Sequence, residues 1–145
     1  MERYSSKRLQ NLIPGEPIMA KKDGRILVVD DEEAFRYMLA SLIEGEGYTV
    51  QSAADGVQAI NAVQAKGFDV ALLDVKMPKV DGVEVLKFIK EFAPDIEAIM
   101  VTAGGDLRLA AECMKLGAYD YITKPFSTEE LLGTIDRALE KRLKL

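Results

Sequence analysis

The stretch DVALLDVKMPKVDG, residues 69–82, contains the pattern on which the fold depends. It begins with an apolar run of strand length, DVALLD at 69–74, and leads into residues 82–91, whose apolar side chains recur at helical spacing. Similar strand-length runs lie before and after it: ILVV at 26–29, YTVQSA at 48–53, EAIMVTA at 97–103 and YDYIT at 119–123. The helical spacing predicts further helices over 33–45, 56–65, 106–116 and 127–143.

Strict alternation of strands and helices, without a hairpin signal, predicts parallel strands joined by right-handed crossovers. The predicted fold class is therefore α/β, a doubly wound five-stranded parallel sheet of the flavodoxin-like type. The first, third and fourth strands are apolar throughout and fit the middle of the sheet, whereas the more polar second and fifth fit positions nearer its edges. Local signals agree with this order: Ser127 and Glu130 form a capping box, and Gly47, Gly67 and Gly117 lie where helices should end.

The composition sets the number of domains and excludes several kinds of function. The chain has 145 residues, of which 25–145 are predicted to form one domain and 1–24, interrupted by Pro14, Gly15 and Pro17, an N-terminal extension or linker. It has no histidine and one cysteine, which excludes an internal disulfide, a Cys/His zinc site and an imidazole base. The net charge of -5 argues against direct nucleic-acid binding, and no apolar run is long enough to span a membrane. We expect a cytoplasmic protein.

Polar side chains stand at the C-terminal ends of four predicted strands: Asp30 and Asp31, Asp74, Thr102, and Lys124. In a doubly wound sheet, ligands bind outside these strand ends. Carboxylates brought together there repel one another unless a cation is present, and oxygen ligands without nitrogen or sulfur suit Mg²⁺. A metal, an ammonium and a hydroxyl around a carboxylate favour phosphate chemistry, with Asp74 as the candidate nucleophile because its strand is central.

Four segments at these strand ends resemble the receiver domain of bacterial two-component response regulators: ILVVDDE at 26–32, LLDVKMPKVDG at 72–82, VTAGGD at 101–106 and GAYDYITKPF at 117–126. The closing part is most similar to receivers of nitrogen-regulation-type transcriptional activators. The resemblance implies a phosphorelay protein that accepts a phosphoryl group on an aspartate in a Mg²⁺-dependent reaction. It also implies that the protein then changes its surface to control an output domain or an effector protein.

The resemblance assigns the acceptor and the metal ligands. Asp74 matches the phospho-acceptor, and Asp30 and Asp31 match the acidic pair that binds Mg²⁺. Asp31 is expected to be a direct ligand and Asp30 to act largely through water. Asp74 and the backbone carbonyl of Lys76 complete the expected ligand set.

The resemblance also implies a switch. Thr102 matches the hydroxyl, and Lys124 the ammonium, that bind the phosphoryl oxygens. Tyr121 matches an aromatic residue that turns inward when Thr102 moves toward the phosphoryl group. The bond between Lys124 and Pro125 is expected to be cis.

A receiver needs a phosphodonor histidine, which this chain lacks. The resemblance therefore implies a histidine kinase or phosphotransfer protein that docks near the first helix. The apolar side of the fourth and fifth helices is a candidate surface for homodimerisation or for a partner. Beyond Mg²⁺-dependent self-phosphorylation and autodephosphorylation, no enzymatic activity is expected.

Two other functions are compatible with the fold. An aspartate-nucleophile phosphohydrolase would act on external phosphoesters, but its main superfamily has an acidic residue two positions after the nucleophile, where this chain has Lys76. A flavin or nucleotide carrier would have a Gly/Ser/Thr-rich loop after the first strand. Here that loop is acidic, DDEE at 30–33, and would repel a phosphate without a metal.

Overall fold

The computed structural model describes residues 24–65, 67–104 and 106–143, and in these residues five strands alternate with five helices. The strands are β1 (Arg25–Val29), β2 (Thr49–Ala53), β3 (Val70–Asp74), β4 (Glu97–Ala103) and β5 (Asp120–Lys124). The helices are α1 (Glu33–Gly45), α2 (Gly56–Ala65), α3 (Gly82–Phe92), α4 (Leu107–Lys115) and α5 (Thr128–Leu143). All strand pairs are parallel, in the order β2-β1-β3-β4-β5.

This arrangement confirms the predicted fold and the predicted strand positions. The apolar strands β1, β3 and β4 lie in the middle of the sheet, and β2 and β5 form its edges. All five residues of β3 are buried, because a central strand of a parallel sheet is covered by helices on both faces. Each predicted element differs from the observed one by at most one residue at either end, and β5 ends on Lys124 itself.

The apolar side chains form two cores, one on each face of the sheet. Successive residues of a strand point to opposite faces, so Val70 and Leu72 join one core whereas Ala71 and Leu73 join the other. Helices α1 and α5 cover the face of Val70 and Leu72, and α2, α3 and α4 cover the opposite face. The sheet is therefore packed between two helical layers, and its carboxyl edge stays open for the loops that follow the strands.

Local signals in the sequence fix where several helices begin and end. The hydroxyl of Ser127 accepts a hydrogen bond from the backbone N–H of Glu130 at 3.0 Å, which confirms it as the N-cap of α5. Gly47, Gly67 and Gly117 have φ angles of 100°, 102° and 104°, as expected where helices stop in the left-handed region.

Most of the predicted N-terminal extension, residues 1–23, lies outside the described residues. Gly24, its last residue, is buried, and its carbonyl oxygen accepts a hydrogen bond from the N–H of Thr49 at 3.1 Å. Gly24 thus packs with the domain. Across the described part of the chain, the helices are too short or too polar to cross a membrane.

Candidate functional site

The predicted site residues lie at the carboxyl edge of the sheet. Asp74 is the last residue of β3 and Lys124 the last residue of β5, while Asp30 directly follows β1. Thr102 lies near the end of β4, in register with Thr123 of β5. Because β1, β3, β4 and β5 are parallel, their carboxyl ends reach the same edge, as the sequence predicted.

Three carboxylates converge at this edge. One oxygen from each of Asp30, Asp31 and Asp74 lies within 4.8 Å of the others. Asp30 is 1% exposed and Asp74 8%, whereas Asp31 is open to solvent. Buried carboxylates this close to one another are unfavourable without a compensating cation, and the all-oxygen donor set fits a hard divalent ion such as Mg²⁺.

Asp30 uses both of its carboxylate oxygens within the protein. Its Oδ1 accepts a hydrogen bond from the N–H of Glu32 at 2.8 Å, and its Oδ2 lies 3.4 Å from Nζ of Lys124. The guanidinium of Arg36 donates to the backbone carbonyl of Asp30 at 2.8 Å. Both carboxylate oxygens of Asp30 thus have a partner within the protein, whereas Asp31 is open to solvent.

Among the ion pairs of the described residues, Lys124 is the cation that pairs with Asp74. Its Nζ lies 3.9 Å from Oδ1 of Asp74, in addition to its contact with Asp30. The bond between Lys124 and Pro125 is cis, as expected. One ammonium therefore bridges two of the three carboxylates.

The pKa of Asp74 is raised from 3.8 to about 6. Burial is the largest cause, followed by the negative charge of Asp30; Asp31 adds to the rise. The charge of Lys124 and a hydrogen bond from the backbone N–H of Lys76 act in the opposite direction. At neutral pH the carboxylate is ionised but held in an unfavourable environment, which a bound cation would relieve.

The loop after β3 brings the start of α3 against the backbone of Asp74, a feature that the sequence analysis missed. A Cβ on Gly82 would lie 2.2 Å from the carbonyl oxygen of Asp74, so only glycine fits there. The N–H of Gly82 donates to the carbonyl of Val75 at 3.0 Å. The sequence did carry a signal for this contact, the Asp81-Gly82 pair at the start of a predicted helix. The carboxylate of Asp81 caps α3 by accepting a hydrogen bond from the N–H of Glu84, and Gly82 follows it directly.

The predicted switch residues occupy neighbouring strands. Thr102 is 4% exposed on β4, and Tyr121, on β5, is half-buried and packs against the core beneath α2, α3 and α4. Lys76 lies in the loop after Asp74 with its side chain exposed. The structure thus places Asp30, Asp31, Asp74, Thr102 and Lys124 at the carboxyl edge and Lys76 in the loop next to it. Tyr121 lies near the start of β5, away from that edge.

Comparison with known proteins gives a family match over most of the domain. The family described as the response regulator receiver domain matches residues 26–136. The transcriptional regulatory protein ZraR of Klebsiella oxytoca is 42% identical over 114 residues, which are 79% of this chain and 26% of ZraR. Sporulation initiation phosphotransferase F of Bacillus subtilis is 37% identical over 115 residues, which are 79% of this chain and 93% of that protein.

Solved structures agree with these relatives. A CheY-like response regulator receiver domain protein from Methanospirillum hungatei superposes with a TM-score of 0.80 at 33% identity, covering 83% of this chain and 97% of that one. NtrX from Brucella abortus, in complex with ADP, also gives a TM-score of 0.80, at 32% identity, covering 83% of this chain and 28% of that one. The chain thus spans about a quarter of ZraR and of NtrX, and nearly all of the two shorter relatives.

Proposed function

The chain belongs to the response regulator receiver family, and from this premise we propose that Asp74 is the residue that accepts the phosphoryl group. The single observation behind this assignment is the convergence of three carboxylates within 4.8 Å, with Lys124 bridging two of them. Asp74 is the member of the cluster at the end of the central strand β3. The relatives support the receiver function and give no support to the phosphohydrolase alternative.

The proposed reaction is a transfer between two side chains. A carboxylate oxygen of Asp74 forms a bond to phosphorus, the bond from phosphorus to a partner's histidine nitrogen breaks, and that nitrogen takes up a proton. The chain has no histidine of its own, so the donor is another protein or another domain. A histidine kinase or phosphotransfer protein is the expected partner.

The other residues of the edge supply charge and hydrogen bonds. Lys124 neutralises the phosphoryl oxygens from its position between Asp30 and Asp74, and the hydroxyl of Thr102 donates to one of them. Asp31, Asp74 and the backbone carbonyl of Lys76 would hold Mg²⁺, and Asp30 would reach it through water. When bound, Mg²⁺ neutralises charge on the carboxylates and the phosphoryl group.

The output is a change of surface at β4 and β5. Thr102, buried at the edge, moves toward the phosphoryl group on Asp74, and the half-buried Tyr121 turns into the space that it leaves. We propose that this surface, with the apolar sides of α4 and α5, contacts an output domain, an effector or a second copy of the chain. We propose no direct contact with nucleic acid, because the net charge of -5 disfavours it. Residues 25–145 are proposed as the receiver domain and residues 1–24 as an extension or linker whose last residue, Gly24, packs against the domain.

The test is the intact mass of the protein after incubation with acetyl phosphate and Mg²⁺. We expect one added phosphoryl group on the wild type, none on Asp74→Asn, and one on Asp95→Asn, a control at an exposed aspartate before β4. Labelling that persists in Asp74→Asn would overturn the assignment. If the protein instead hydrolysed an added phosphoester with sustained turnover, the phosphohydrolase alternative would be favoured.

A further inference from the structure

The ammonium of Lys124 lies over an aromatic ring as well as beside two carboxylates. Its Nζ is 4.2 Å from the centroid of the Phe35 ring, within the distance at which a cation is attracted to the negative face of an aromatic system. The same Nζ lies 3.4 Å from Asp30 and 3.9 Å from Asp74. Three groups from three different segments of the chain therefore surround this ammonium.

The ring of Phe35 is itself held in place. It lies in the first turn of α1 and packs against Phe126 in an edge-to-face contact, with centroids 5.9 Å apart and planes at 68°. Phe126 is two residues beyond Lys124, so the Phe35 ring contacts both ends of one short loop. The next residue of α1, Arg36, donates to the backbone of Asp30 at 2.8 Å. Adjacent residues of α1 thus hold both members of the Lys124–Asp30 pair.

We propose that Phe35 is a positioning residue for phosphoryl transfer, which keeps the Lys124 ammonium beside Asp74 through a cation–π contact. Lysine has a flexible side chain and loses rotamer freedom whenever its charge is fixed. A ring face that already favours one position of the Lys124 ammonium reduces the rotamer entropy that must be lost when the phosphoryl group is transferred. The ring also shields part of the ammonium from water, which strengthens its interactions with nearby charges. The inference depends on the role proposed above for Lys124.

The alternative is that Phe35 only fills space. Phe35, Lys124 and Phe126 line an open, largely apolar groove of about 390 Å³, so an apolar side chain is expected there for packing alone. Leucine at residue 35 fills much of the same space without a π face. We expect Phe35→Leu to slow Mg²⁺-dependent phosphorylation by acetyl phosphate by about threefold to thirtyfold, the span of a partly desolvated cation–π contact.

A fluorinated series separates electrostatics from packing. Mono-, di- and trifluorophenylalanine at residue 35 keep the ring's shape while progressively weakening its negative face. We expect the phosphorylation rate to fall in steps with the number of fluorines. The same series at Phe88, a partly buried residue of α3 that contacts Phe92 and not Lys124, is the control and should leave the rate unchanged.

A second measurement needs neither metal nor phosphodonor. Protons held over the face of an aromatic ring resonate upfield in NMR spectra, so the side-chain protons nearest the ammonium of Lys124 should be shifted upfield in the metal-free protein. We expect this shift to disappear in Phe35→Leu. Phe88→Leu should leave it unchanged.

The outcomes distinguish this inference from the proposed function. A wild type that takes up no phosphoryl group on Asp74 overturns the proposed function. A wild type that is phosphorylated normally, with rates independent of fluorination at residue 35, overturns the role of Phe35 alone. Rates that fall with fluorination at residue 35 and stay constant at Phe88, together with the lost upfield shift in Phe35→Leu, support the role.

Discussion

Replacing Asp74 by asparagine should stabilise the metal-free protein. The Asp74 carboxylate is buried and lies among other negative charges, so the folded protein holds the ionised form less well than the unfolded chain does. Asparagine has nearly the same shape and no charge. Above about pH 6, the variant therefore avoids the cost of burying a negative charge, and of holding it near Asp30 and Asp31, which the wild type bears.

The magnitude follows from the pKa of Asp74. It is about 6 in the folded protein against an ordinary value of 3.8. At about 1.4 kcal/mol per pH unit, the difference corresponds to roughly 3 kcal/mol of lost stability when the group is ionised in both states. A raised carboxyl pKa means that the folded state binds the proton more tightly. The penalty is therefore absent below pH 3.8 and complete above about pH 6.

The assay is urea unfolding of both proteins in a chelator, at about pH 8 and again at about pH 4. At the higher pH we expect Asp74→Asn to unfold with a free energy about 2–3 kcal/mol larger, or roughly 10 °C higher in melting temperature. At the lower pH the two proteins should nearly converge, because Asp74 of the folded wild type, with a pKa of about 6, is then largely protonated and uncharged. Asp95→Asn, at an exposed site, should stay within about 0.5 kcal/mol of the wild type at both pH values.

Two results would refute this reasoning. One is an Asp74→Asn protein no more stable than the wild type at the higher pH. The other is an advantage that persists unchanged at the lower pH, since it would then come from something other than the ionised carboxylate.

Three further predictions concern the same edge and the helix ends. Gly82→Ala should lower the free energy of unfolding in urea by about 1–3 kcal/mol or more, because the new Cβ would collide with the Asp74 carbonyl. Gly45→Ala is the control, because a Cβ there would meet no atom within 4 Å, and it should be neutral or stabilising. Ser127→Ala should cost about 1 kcal/mol by the same measurement, through loss of the α5 cap, and an unchanged midpoint would contradict the cap's contribution. Lys124→Met should raise the pKa of Asp74 further in a metal-free carboxyl NMR titration, because the lysine charge lowers it; a fall would contradict the ion pair.

Much of the fold and of the acidic cluster could be predicted because both depend on periodic and local features. Alternating strands and helices require parallel strands, and parallel strands bring their carboxyl ends to one edge, so Asp30, Asp74 and Lys124 had to approach one another. The cap at Ser127 and the left-handed turn at Gly117 depend only on neighbours in the chain. These features need no knowledge of tertiary packing.

The contacts that hold the site in one geometry could not be predicted in this way. The aromatic ring over the Lys124 ammonium belongs to Phe35, which is distant from Lys124 in the chain. The helical spacing of the sequence around residue 35 indicates only that an apolar residue is needed there. The bond from Arg36 to the Asp30 carbonyl carries no sequence signal, since surface arginines of helices are common. The close approach of Gly82 to Asp74 is visible only once α3 is placed against β3.

The amino-acid order by itself determined which elements form, their order along the chain and which residues reach the carboxyl edge, because hydrophobic periodicity and strand direction are properties of the chain alone. The tertiary structure alone decided how deeply Asp74 is buried and how near the other charges lie. Those two quantities set its pKa, because desolvation and Coulomb energy depend on distances that only the packed sheet and helices establish.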